Sequence, residues 1–113
     1  MENQPKKSVL KSEARRLELH ELLCSILGSR NVYFQPPTSV KLKYPAILYD
    51  IEDIPRIYAN GGVYLTGRKY KLTFITNKPN DPIVDDILKL PTIRFSQRYS
   101  SDNLTHVIYT LFY

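Results

Sequence analysis

The sequence predicts an α+β domain, a mostly antiparallel sheet packed against an N-terminal amphipathic helix and a second, shorter helix. Three observations lead there. Leu19, Leu22, Leu23, Ile26 and Leu27 recur at i, i+3, i+4, i+7 and i+8, the spacing of a helix with one apolar face. Tyr70, Leu72 and Phe74 alternate with Lys69, Lys71 and Thr73, as in a strand buried on one side. The run from Thr105 to Tyr113 is rich in β-branched and aromatic residues. Helices and strands that cluster rather than alternate regularly pack as two segregated layers.

The composition sets bounds on this reading. With 113 residues, 42% hydrophobic and 24% charged, the chain has the balance of one globular domain, not of a disordered tail. A domain of this length removes about 60 to 70% of its unfolded surface from water, enough for a core without cross-links. The lone Cys24 forms no intramolecular disulfide, and no paired Cys/His spacing suggests zinc. No apolar run approaches the roughly 20 residues of a bilayer span, and residues 5–11 are too polar for the core of a signal peptide. A net charge of +5 permits acidic partners, nucleic acid included, without naming one.

In chain order, residues 1–11 are largely polar and basic and are read as a flexible N-terminus, leaving a single domain over residues 12–113. Ser12 is the expected N-cap of the first helix and Gly28 its left-handed stop, with Arg15, Arg16, Glu18 and Glu21 on the solvent side. Val32 to Phe34 form a short strand ended by Pro36 and Pro37, and Ala46 to Asp50 a second one beginning after Pro45. Glu52 to Thr66 break all periodicity and read as a long excursion between strands, a kind of segment that commonly carries function. A strand from Arg68 to Thr76 follows, with a cationic outer face. Asp81 and Pro82 open a two-turn helix that stops before Pro91. Thr92 to Tyr99 alternates imperfectly, Ser100 to Asn103 form a turn, and the last run is a strand in the interior of the sheet.

Catalytic patterns are weak. His20-Glu21-Leu22-Leu23-Cys24 differs from the zinc-protease H-E-x-x-H pattern by carrying Cys24 where the second His belongs, and its helix faces the core. A Cys24–His106 nucleophilic pair requires a closeness that spacing does not supply, and a buried thiol commonly packs as a small hydrophobe. Asp81, Asp85 and Asp86 are accounted for by capping and an exposed helix face. No phosphate-binding glycine loop is present, and no nucleophile, base and stabilising group can be named together. The reading is therefore of a non-enzyme, with no cofactor or metal site. Nine tyrosines beside Lys41, Lys43, Arg68, Lys69, Lys71, Arg94 and Arg98 suit either base stacking on single strands or protein contacts.

The order of elements, with Lys43-Tyr44-Pro45-Ala46-Ile47-Leu48-Tyr49, the Arg68 to Ile75 strand and Phe95 to Tyr113 with its Asp102-Asn103-Leu104 turn and His106, resembles the tail-terminator and tail-completion (neck) proteins of long-tailed bacteriophages. The resemblance spans residues 12–113. It implies a structural virion protein, assembled in the host bacterial cytoplasm, that forms a hexameric ring at the head-proximal end of the tail. Its partners would be other copies of itself, the tail-tube protein and the head-to-tail connector or neck protein, with passing contact to DNA in the lumen and none to membrane. Head-to-tail rings join two different patches on each subunit. For one of them the sequence offers Asp50, Glu52 and Asp53 facing a neighbour's cations, Tyr58 and Tyr64 as aromatic anchors, and Arg68. Another neck or head-completion component, or a small basic nucleic-acid-binding protein, are the alternatives.

Overall fold

The computed structural model describes residues 7–54, 56–59, 62–65 and 67–113. The elements run α1 (Lys7–Leu27), β1 (Val32–Phe34), β2 (Ala46–Asp53), β3 (Arg56–Ala59), β4 (Gly62–Leu65), β5 (Lys69–Thr76), α2 (Ile83–Ile87), β6 (Ile93–Ser101) and β7 (Leu104–Phe112). A five-stranded sheet has the order β1-β2-β5-β7-β6, parallel between β1 and β2 and antiparallel elsewhere. Strands β3 and β4 form a separate two-stranded sheet. The expected α+β architecture is present.

Helix α1 covers one face of the sheet with the stripe read from the sequence. Leu19, Leu23, Cys24 and Leu27 are buried against Ile47, Tyr49, Tyr70, Leu72, Phe74, Val107, Tyr109 and Leu111, the inward positions of β2, β5 and β7. Leu22 lies at the rim, 36% exposed. The helix starts at Lys7, so Ser12 is an interior residue and not its cap, and the segment read as flexible gives up Lys7 to Lys11 to the helix. Once a helix is nucleated, adding a residue costs little, and no glycine or proline lies between Pro5 and Ser12 to stop it. Gly28 does end it, at φ 81°, with its N–H donating to the Cys24 carbonyl at 2.8 Å.

Helix α2 joins the same layer through Ile87, which is fully buried. Pro82 is already in the helical conformation, and the Asp81 carboxylate accepts the Ile83 N–H at 3.0 Å, so Asp81 caps as its position suggested. Its other oxygen accepts the Thr76 hydroxyl at 2.7 Å, tying α2 to the end of β5 in a buried pair. The Tyr109 hydroxyl, raised in pKa by burial, donates to the Val84 carbonyl at 3.2 Å.

Two further expectations are corrected by the pairing. β2 continues to Asp53, so its acids belong to a strand rather than to a loop, and the excursion over Glu52 to Thr66 is largely the β3–β4 hairpin. β6 runs on to Ser101, and its imperfect alternation comes from a bulge between Phe95 and Gln97. Asp102 and Asn103 both take positive φ, 54° and 64°, the two-residue turn that suits the twist of an antiparallel hairpin. β7 lies between β5 and β6, in the interior as read.

Candidate functional site

The helices cover only one face, so the second face of the sheet lies outside the helix layer. Pairing registers assemble that face rung by rung. Ala46, Ile75, His106 and Tyr99 form one rung, and Tyr33, Leu48, Thr73, Ile108 and Gln97 the next. Asp50, Lys71, Thr110 and Arg94 form the following rung, and Asp53, Lys69 and Phe112 the one beyond. Alternation along each strand places these residues opposite the core positions. The face thus grades from apolar and aromatic to charged.

At the apolar end, Ala46, Ile75 and Ile108 are buried although no helix lies over them. The Tyr33 hydroxyl accepts the Lys43 N–H at 3.3 Å, which holds the connection between β1 and β2 close to this end. Tyr99 stacks on His106, ring centroids 4.7 Å apart and planes 7° from parallel. The His106 Nδ1 beneath has no hydrogen-bond partner among the described residues.

At the charged end lie most of the residues singled out from the sequence. Asp50 stands across from Lys71 and Asp53 across from Lys69, and the Glu52 carboxylate is 3.9 Å from the Lys69 ammonium. β5 of the same chain thus sets lysines opposite Asp50 and Asp53, and of the three acids only Glu52 is within ion-pairing distance of one among the described residues. The Asp53 carboxylate also accepts the Ile54 N–H at 2.8 Å. Arg68 precedes β5 and exchanges both backbone hydrogen bonds with Tyr113 at 2.9 Å, extending the β5–β7 ladder. Gly67 beside it has φ 145°, and a Cβ there would meet the Tyr113 carbonyl oxygen at 2.5 Å. Glycine is what lets the chain return from the hairpin into the sheet. Tyr58 and Tyr64 stand on β3 and β4, in adjacent rungs across from Val63 and Ile57. Their side chains lie outside the described residues.

A polar cluster that the sequence did not signal crosses the helix–sheet boundary. Arg16, assigned to solvent from its place on the helical wheel, has a side chain only 16% exposed. It lies over the Phe34 ring, 4.4 Å from the centroid, pairs with Glu13 and donates to the Tyr49 hydroxyl at 3.1 Å. That hydroxyl is also 2.8 Å from Nδ1 of His20. Burial first, then the charges of Arg16 and Arg30, hold His20 below its ordinary pKa, which favours the neutral imidazole beside the Tyr49 hydroxyl. A long aliphatic stem lets an arginine cover an aromatic ring and still reach a polar tip, which residue type alone does not announce.

Cys24 and His106 are on opposite faces of the sheet, Cys24 in the helix-covered core and His106 in the outer rung with Ile75. Burial raises the Cys24 pKa, which favours the protonated thiol. Among the described residues no group of His, Cys, Asp and Glu is placed to hold a metal ion. No described helix is long and apolar enough to cross a membrane. No protein-family model, curated protein or solved structure matches this chain.

Proposed function

We propose that this protein is a non-enzymatic structural component of a phage virion, a homo-oligomeric, hexameric ring at the head-proximal end of the tail. There it ends growth of the tail tube and joins the tail to the head. The observation that carries this reading is the β3–β4 hairpin, paired with itself and outside the five-stranded sheet. A two-stranded ribbon is marginal in water by itself and gains stability by docking on something else. It leaves the sheet at the charged end, beside Asp50, Glu52, Asp53 and Arg68. A ring of such subunits works by geometry: hairpins that engage the last tube layer cover the edges to which the next tube subunit would add, and the opposite side meets the connector or neck protein.

Mass in solution by light scattering, at several salt concentrations and with and without purified tail-tube protein, tests this. A closed oligomer, or a monomer that assembles on tube ends, is the expected result, with Tyr58→Ala and Tyr64→Ala as the first variants. A salt-stable monomer that ignores tubes overturns it. If that monomer shifts a DNA probe at low salt, the cations Lys69, Lys71 and Arg94 on the open face favour the nucleic-acid reading instead.

A further inference from the structure

The sheet has two ends of opposite charge. At one end, β6 is an edge strand of nine residues, all but Ile93 exposed, that contains Arg94 and Arg98 and no acid. At the other, β1 pairs with β2 only from Ile47 to Tyr49, because Pro36 and Pro37 cannot continue the ladder. Beyond Tyr49 the edge is β2 itself, Asp50-Ile51-Glu52-Asp53, where the Gln35 side chain accepts the Ile51 N–H at 3.4 Å. Gln35 takes the Tyr49 carbonyl as well, its N–H donating at 2.9 Å, so the strand that a newcomer meets on this side is β1, while β6 is bare along its length, and bare strand edges pair with further strands unless something prevents it. A two-fold pairing of β6 with a second β6 brings its arginines together, which like-charge repulsion disfavours. The acidic edge removes that obstacle.

We infer that β6 of one copy adds to the β1 edge of a second copy, head to tail, with Arg94 level with the partner's Asp50 on the open face, one strand in from the seam. This rests on the ring reading and names its subunit contact. Two features of the register support it. Asp50 and Arg94 occupy the same rung, linked through Lys71 and Thr110, so a sheet continued from copy to copy without stagger brings them to one level. Strand direction reverses from β2 to β5, β7 and β6, so β6 meets the next β1 antiparallel, the pairing that fills most of this sheet. Arg94 has no ion-pair or hydrogen-bond partner of its own among the described residues. The contact joins two different surfaces, so it propagates until rotation closes it.

Charge reversal tests the pairing. Arg94→Glu and Asp50→Arg, both at exposed positions, should each weaken self-association at least about tenfold by sedimentation, with far-UV circular dichroism unchanged. Mixing the two variants should restore assembly, since each then offers the surface that the other needs. So should the double variant R94E/D50R. Retention of the full oligomer in either single variant overturns the contact and leaves the ring reading standing, as does loss in both without recovery on mixing. A wild-type chain that stays monomeric at all concentrations and on tube ends overturns both.

Discussion

The two faces of the five-stranded sheet differ in what their residues do. On the helix-covered face, Tyr49, Tyr70, Leu72, Phe74, Val107 and Tyr109 are at most 2% exposed, and two layers close over them. On the open face, the same strands carry Asp50, Lys69, Lys71 and Arg94 at one end and the Tyr99–His106 stack at the other. Alternation along a strand separates the two roles at every second residue, so β5 alone presents Phe74 to the core and Lys71 to solvent. Stability and association are therefore open to separate tests.

The largest effect is expected in the covered face. Phe74→Ala should cost about 3–5 kcal/mol by losing a fully buried ring and leaving a cavity, read as a lower midpoint in chemical denaturation. Next comes the junction between the faces and the hairpin. Gly67→Ala places a Cβ against the Tyr113 carbonyl at a φ that disfavours side chains, and a loss of about 1–3 kcal/mol is expected in the same assay.

His20 gives the covered layer a dependence on pH. Its folded pKa lies below the ordinary 6.5, so the unfolded chain takes up the proton first. The associated stability is intact above pH 6.5 and declines as the pH falls below it, down to the folded pKa. His20→Gln should flatten that part of the wild-type stability profile. The smallest effect belongs to the open face: Lys71→Ala should change stability by less than about 0.5 kcal/mol, and a larger loss shows that the charged rung also holds the monomer together.

Much of the fold was legible because local chemistry repeats with the period of the element. The Leu19 to Leu27 stripe, the alternation from Lys69 to Phe74, the Asp81 cap, the Gly28 stop and the turn at Asp102 and Asn103 each depend on neighbours within a few residues. The N-terminal boundary of α1 was misplaced because a serine caps only where the preceding chain leaves the helical conformation, and here it does not. Of the proposed interface residues, Asp50, Glu52 and Asp53 stand on β2, a setting that their sequence does not show beyond Asp50. Assigning Glu52 and Asp53 to a loop hid the fact that β5 sets Lys69 and Lys71 across from the acids.

By itself, the sequence determined most of the helix and strand segments, though not the β3–β4 hairpin, the end of β2 or the start of α1, and which residues of β5 and of the Leu19 to Leu27 stripe share a face, because those properties follow from backbone periodicity and turn chemistry. The tertiary structure decided the rest. It chose the strand order, drew Arg16 from the helix surface onto Phe34 and Tyr49, separated Cys24 from His106 by the thickness of the sheet, and aligned Asp50 with Arg94 across four strands. Each of these joins residues far apart in the chain. Such partners are selected by the burial of whole faces and the register of whole strands, and no local pattern contains them.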